Sequence, residues 1–259
     1  MDADRFSSLV AAAGIDRWRS KDWPASGGIS SRAAAHQYRV TFAFLREALG
    51  EGSPKDVLDW GSGSAAFSYA LATEGHRVFA TDFAVPPMRG FIEEQCPGRF
   101  EFTRCSDPVT LPYPECSFDV VLSNGTLEHV GESSGSDLGS LREIHRVLRP
   151  GGTFVCCHLP SRYSYIEAAV RAVRRPGLYH HPITYTRDGI EAKAESTGLV
   201  VTAFRRYGAL PRNPLSALPS ALRDSSAFVA AYDAVDDALS ALLGPLCQNI
   251  AFLAVRPGA

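Results

Sequence analysis

Lysine is almost missing from this chain: Lys21, Lys55 and Lys193 are the whole supply, and arginine carries most of the positive charge. The formal net charge is only −2, which gives no reason to expect bulk nucleic-acid binding. No basic run interleaved with aromatics suggests an RNA platform either. Cysteine occurs at 96, 105, 116, 156, 157 and 247, with no Cys-x-x-Cys pair and no Cys/His zinc spacing. No Asp-Asn metal cluster is visible, so no metal is expected. Cys156-Cys157 lie in the apolar run Phe154 to Leu159, where adjacent side chains point to opposite faces of a strand. They read as core thiols of a reducing compartment. No run approaches the roughly 18 apolar residues of a membrane helix. The opening MDADRF begins with acids and lacks an apolar signal core, so a cytoplasmic protein is expected.

What is present is organised around Val57 to Asp82, VLDWGSGSAAFSYALATEGHRVFATD. Val57-Leu58 is a short apolar run of buried-strand type. Gly61-Ser62-Gly63-Ser64 turns the chain, Ala65 to Ala72 reads as a helix, and Val78 to Ala80 is a second strand closing at Asp82. A glycine turn at the carboxyl end of a strand is where open α/β sheets hold ligands. The dinucleotide fingerprint is loosely met by Gly61, Gly63 and Ala66, and a nicotinamide oxidoreductase is the competing reading. The acids decide between ligands. Asp59 stands just before the turn, where a carboxylate repels a pyrophosphate and welcomes a cation. Asp82 suits ribose hydroxyls, which donate to an ionised acid. A cation joined to a ribose describes S-adenosylmethionine.

At 259 residues, one α/β domain is the default. Residues 1–50 read as an N-terminal helical segment, with Phe42-Ala43-Phe44-Leu45 and Leu49 as its apolar face. Trp18, Trp23, His36 and Tyr38 either cover the pocket as a lid or pack the segment onto the domain. After Asp82 come a helix from Met88 to Gln95, the alternating strand Arg99 to Arg104, and a proline-rich loop. A buried strand, Phe118 to Leu122, ends at Ser123-Asn124-Gly125. A helix from about Asp137 to Arg149 is stopped by Pro150-Gly151-Gly152, and Thr153 to His158 is the next strand.

This succession resembles the class I S-adenosylmethionine-dependent methyltransferases, in the large small-molecule branch. The matching pieces are VLDWGSGSA, the acid of VFATDF, SDPVTLPYPECSFDVVLSNGTLEHV and LREIHRVLRPGG, covering about Asp56 to His158. The resemblance implies a Rossmann-like, seven-stranded, mostly parallel sheet with helices on both faces and a helical cap. Its last hairpin, reversed, would use Leu199 to Phe204 and Gln248 to Val255, after a helix from Thr186 to Ser196. The methyltransferase domain would occupy 51–259, with cap insertions at about 161–185 and 208–244.

Carried over by position, Asp59, Trp60, Gly61 and Gly63 would border the methionine part of the donor. Asp82 would hold the ribose and Phe83 would lie against the adenine. Ser106, Asp107 and Pro108 would line the adenine, with Asp107 accepting from its amino group, and Asn124-Gly125 would lie under the sulfonium. Ala65 departs from the pattern, which often has a third glycine there. Asp107 and Asn124-Gly125 also have a plain reading as turn residues.

Methyl transfer from a sulfonium is an in-line displacement, so positioning and exclusion of water matter most. The expected activity is transfer to oxygen of a small-molecule or glycan-type acceptor, with S-adenosylhomocysteine as product. A binding protein that keeps the donor fold without turnover is the other reading. His129, in LEHV, is the candidate base, with His158 and His180-His181 as rivals. The Asn/Asp-Pro-Pro-aromatic signature of amino methylation on nucleic-acid bases is absent. The cap arginines Arg162, Arg171, Arg174 and Arg175 either form a solvated face or meet an acidic acceptor group. Residues 227–244 show Phe228, Val229, Tyr232, Val235, Leu239 and Leu242 on one side, a face that the sheet edge or a second subunit would cover. A monomer and a homodimer both remain open.

Overall fold

The computed structural model describes residues 1–13, 31–173 and 181–258. Apolar runs of strand length pair into one sheet: β1 (Asp56–Trp60), β2 (Arg77–Asp82), β3 (Phe100–Arg104), β4 (Phe118–Asn124), β5 (Leu148–Pro160), β6 (Val200–Tyr207) and β7 (Asn249–Val255). Their order is β3-β2-β1-β4-β5-β7-β6. β1 to β5 run parallel, and β7 lies antiparallel between β5 and β6, as the resemblance implies. That reversed insertion separates this sheet from the all-parallel dinucleotide order.

The helices are α1 (Ala3–Ala12), α2 (Arg32–His36), α3 (Arg39–Leu49), α4 (Ala66–Thr73), α5 (Arg89–Gln95), α6 (Asp137–Val147), α7 (Tyr165–Val173), α8 (Arg187–Ser196), α9 (Ser220–Arg223) and α10 (Ser226–Leu243). Because side chains alternate along a strand, the sheet feeds two cores. Val57, Val78, Val120, Val155 and Cys157 pack with Phe6, Phe42, Leu45 and Phe67 on one face. Leu58, Val121, Phe154 and Cys156 pack with Leu141, Ile144 and Ile190 on the other. The two cysteines thus face opposite layers, and burial pushes the Cys157 thiol up to about 12. No helix among the described residues is long and apolar enough to cross a membrane.

Three local expectations are corrected. The sixth helix stops at Val147, and Leu148 to Gly152 already belong to β5, so Pro150-Gly151-Gly152 do not end it. Pairing of Leu148 with Phe118 draws the chain into the ladder early, and an irregularity before Val120 absorbs the extra residues. Ala65 is outside α4, at φ 62 in the left-handed region. On α10 the buried residues are Val229, Asp236 and Ser240, while Val235 and Leu242 are exposed. A polar bond set, rather than the apolar stripe, turns this helix inward.

That bond set ties the N-terminal segment to the end of the chain. Arg39 Nη2 donates to Asp236 at 2.5 Å and to Asp237 at 2.8 Å. Arg212 pairs with Asp233, and His36 Nδ1 meets Asp233 at 2.6 Å. The backbone N–H groups of Ala209 and Leu210 donate to Ser240 Oγ and Asp236 Oδ1. Beneath them Phe6, Phe42 and Phe67 stack with ring centres 4.8 to 5.3 Å apart, which packs α1 and α3 onto α4. Trp18 and Trp23 lie outside the described residues.

Removing one partner of a buried ion pair leaves the other charge stranded. Asp236 is 0% exposed, so Arg39→Met is expected to lower unfolding free energy in urea by ~3 kcal/mol. Arg187→Met, which breaks an exposed pair with Glu191, is expected to cost under about 1 kcal/mol. Equal losses in the two variants would overturn this account of α10.

Candidate active site

Parallel pairing sets the ends of three strands side by side. Trp60 is in register with Thr81 and with Ser123, so the turn after β1, Asp82 and Asn124 meet at one sheet edge. Gly61 and Ser62 donate their N–H groups to Thr81 O at 2.8 and 3.0 Å. Gly63 N–H donates to Asp82 Oδ2 at 2.8 Å, and Phe83 N–H to Asp82 Oδ1 at 2.6 Å. Asp82 therefore shapes the turn while keeping lone pairs for a further donor. Gly61 has φ +72, and a Cβ there would lie 2.3 to 2.8 Å from the Thr126 side chain. Ala65 takes the left-handed position with a methyl group, a strain of roughly 1 kcal/mol.

Asp59 is 3% exposed and accepts from Ser68 Oγ at 2.6 Å. Burial pushes its carboxyl up to about 6, against the Ser68 bond and with help from the charge of Asp82. Two mutually repelling acids at one glycine turn fit a cationic ligand and disfavour a pyrophosphate. The donor deduced from the sequence meets that demand.

The other expected site residues are placed as follows. Trp60 is 6% exposed and packs with Leu127, Val130 and Leu111, and its carbonyl accepts from Thr126 Oγ1. Phe83 is 45% exposed beside the turn. Ser106 and Asp107 are exposed and Pro108 half-buried. Asp107 Oδ1 accepts from the N–H groups of Thr110 and Val109 at 2.6 and 2.7 Å, and these bonds hold its carboxyl below the usual range. Asn124 Oδ1 accepts from Thr41 Oγ1 at 2.8 Å, which fastens α3 to the end of β4, and Gly125 follows at φ +74. Arg174, Arg175, Tyr179 and His180 lie outside the described residues.

Beyond Gly125 a single 3₁₀ stretch, Leu127–Ser133, carries Glu128 and His129. His129 Nδ1 lies 3.1 Å from Glu132 Oε1, and its Nε2 lies 4.0 Å from Glu128 Oε1. Glu128 is buried, which pushes its carboxyl up to about 7. His181 arrives from the segment after β5, its ring centre 5.8 Å from that of His129. Its Nδ1 lies 2.9 Å from Glu167 Oε1 on α7. His158 takes another course: at φ +64, its N–H donates to Tyr207 Oη at 2.9 Å, and its ring lies against Tyr38 and Tyr207. Burial, then the charges of Arg212 and Arg39, lower it to about 4, so it is neutral at pH 7. Sequence reasoning missed Glu128 and Glu167. Glu128 sits inside LEHV but gives no sign of being buried, and Glu167 reads as one acid of an amphipathic helix.

Residues 58–156 match a family model described as a methyltransferase domain. Over 128 residues the chain is 31% identical to malonyl-[acyl-carrier protein] O-methyltransferase of Pseudescherichia vulneris, covering 49% of this chain and 48% of that one. Over 126 residues it is 33% identical to demethylmenaquinone methyltransferase of Mycobacterium marinum, covering 48% and 50%. The chain spans about half the length of these curated relatives. In fold it matches 1,6-didemethyltoxoflavin-N1-methyltransferase of Burkholderia thailandensis, a structure with bound S-adenosylhomocysteine. The TM-score is 0.58 at 20% identity, over 99% of this chain and 91% of that one, a likeness of fold.

Gly61→Ala tests the turn. The added methyl meets Thr126 Cβ, Cγ2 and Oγ1 and is strained by the positive φ. A fall in unfolding free energy of about 2 kcal/mol is expected, with Thr126→Ser in the same chain recovering only part of it. An unchanged melting temperature would show that the turn differs from this one.

Proposed function

From a chain that carries the class I S-adenosylmethionine-dependent methyltransferase domain, we propose an enzyme that transfers the donor's methyl to an oxygen of a small-molecule acceptor. The observation behind this reading is that two unlike polar groups share one sheet edge. One is the Asp59–Asp82 turn, and the other is the Glu128, His129 and His181 group past the end of β4. The first suits a cation bearing a ribose, and the second suits a hydroxyl that must give up its proton.

The donor supplies an electrophilic methyl on a sulfonium. Asp59 would meet its ammonium, Asp82 its ribose, Phe83 and the loop Ser106 to Pro108 its adenine, and Asn124-Gly125 the sulfonium side. The residues around the other half exclude water. α7 is tied to the end of β6 by Tyr165, whose hydroxyl donates to Ala209 O, and Ser161 Oγ donates to Pro245 O at 3.0 Å. With α10 bonded to Arg39, residues 161–173, 181–185 and 208–244 would close with the N-terminal helices around the strand ends. A dry, partly apolar acceptor chamber follows from that arrangement, and dryness strengthens each polar contact in it. The relatives carry both O- and N1-methyltransferase in their names. Oxygen is preferred here because imidazoles and carboxylates stand where a hydroxyl's proton has to leave.

Calorimetric titration with S-adenosylhomocysteine tests the donor half: heat at micromolar ligand is expected, and none at high micromolar ligand would sink it. Asp82→Ala is expected to weaken binding by about 1.5–3 kcal/mol, the value of a hydrogen bond to a charged group.

Asp59 adds a pH signature. Its folded pKa, raised to about 6, means that its carboxylate is lost as pH falls through 6. Affinity is therefore expected to drop roughly tenfold from pH 7 to pH 5, with a flat profile in Asp59→Asn. A raised acid favours the neutral form in the fold, so this group adds stability as pH falls from 6 toward its unfolded value near 4. Loss of affinity in acid would thus not be loss of fold through Asp59. A profile that is the same in both proteins would remove Asp59 from the donor site.

A further inference from the structure

Leaving an oxygen of a buried carboxylate without a hydrogen-bond partner is costly. Glu128 is 2% exposed, and its Oε2 has no hydrogen-bond partner among the described residues. Around it, one ligand atom each from Glu128, His129 and His181 lies within 4.8 Å of the other two. We infer that these three side chains bind a divalent first-row cation of the zinc type, with one coordination position left open to the acceptor.

Each imidazole is backed by a carboxylate. His181 Nδ1 lies 2.9 Å from Glu167 Oε1, and Glu167 is itself 3% exposed. His129 Nδ1 lies 3.1 Å from Glu132 Oε1. An imidazole whose Nδ1 gives its proton to a carboxylate carries the lone pair on Nε2, and the carboxylate makes that nitrogen more basic. Two nitrogens and one carboxylate oxygen form a borderline donor set that favours zinc over magnesium or calcium. Charge points the same way. Glu128 and Glu167 are both buried carboxyls, and a divalent ion would offset their charge. Ligands of a tetrahedral zinc stand roughly 3.4 Å apart, so the 4.0 Å between His129 Nε2 and Glu128 Oε1 closes with a small side-chain rotation.

The site adjoins the donor's reacting end. A Cβ at Gly125 would lie 3.7 Å from Glu128 Oε1, so the ion would sit next to the turn that closes β4. Its role, unlike its binding, rests on the methyl-transfer reading. An acceptor hydroxyl on the open position is acidified as metal-bound water is, and releases its proton to solvent. The oxygen then forms its bond to the methyl carbon while the carbon–sulfur bond breaks, its electron pair staying on sulfur. Neither imidazole has to act as the base. The cation also selects acceptors that present a hydroxyl oxygen to the open position.

The test uses the full chain, stripped with chelator and then titrated with Zn²⁺ or Co²⁺. A Cys116→Ser background removes the exposed thiol as a competing ligand. One ion per chain is expected, with a Co²⁺ absorption spectrum lacking a thiolate band. Glu128→Gln and His181→Ala should each weaken binding at least 100-fold, and Glu167→Gln by about 10- to 100-fold. If Glu128→Gln fails to fold, His129→Ala, at a partly exposed position, reads the same loss. Failure of the wild type to hold an ion at micromolar metal, or equal retention in the variants, overturns the site. S-adenosylhomocysteine affinity measured on the same metal-free samples keeps the two readings apart: donor binding without metal binding sinks only the metal site.

Discussion

Parallel pairing of β1 with both β2 and β4 is the constraint on which the rest depends. It is what brings Gly61, Asp82 and Asn124, separated widely in sequence, to one edge. Parallel strands need long crossovers, and each crossover here delivers its next residue group to the same edge. The glycine turn follows the first strand, Asp82 ends the second, and Gly125 with Glu128 and His129 follows the fourth. Antiparallel pairing of β7 then closes the sheet without adding a further crossover, and leaves the stretch between β6 and β7 free to reach back over that edge.

α10 is held by charge more than by apolar area. Residues Val229, Asp236 and Ser240 form the buried side of α10, and Asp236 owes its burial to Arg39. A helix seated by apolar contacts could slide, whereas one seated on a paired buried acid has a single register. Burial, then the charges of Arg212 and Arg39, lower the basicity of His158, which is kept neutral between Tyr38 and Tyr207. The N-terminal segment and the end of the chain are therefore coupled through one largely buried polar group.

Much of this was readable from residues in order. Local patterns found the strand–turn–helix of Val57 to Ala72, the acid Asp82 and the opposite-facing Cys156 and Cys157, because each depends on neighbours within a few positions. The end of α6 was misread because Pro150-Gly151-Gly152 is a strong local stop, while pairing of Leu148 with Phe118 is a long-range event. The inner face of α10 was misread because hydropathy cannot foresee that Arg39 will meet Asp236, 197 positions away. For the same reason nothing local unites Glu128 with His181 or reveals that Glu167 supports it. Long-range polar bonds leave no periodic trace.

Four non-glycine residues among those described are left-handed: Ala65, Cys116, Ser134 and His158. Two of them, Ala65 at φ 62 and His158 at φ 64, border the carboxyl edge of the sheet. Ala65 begins the helix behind the donor turn, where its methyl fills a position that is 0% exposed. A glycine there would relieve the backbone and leave a void, so packing and backbone freedom pull in opposite directions. At His158 the backbone turn is held by the bond from its N–H to Tyr207, and this directs the ring between two tyrosines instead of into the strand ladder. Strained conformations persist only where their surroundings over-determine them. Here the surroundings are the packing around the Ala65 methyl on one side and the Tyr207 bond with the two tyrosine rings around His158 on the other.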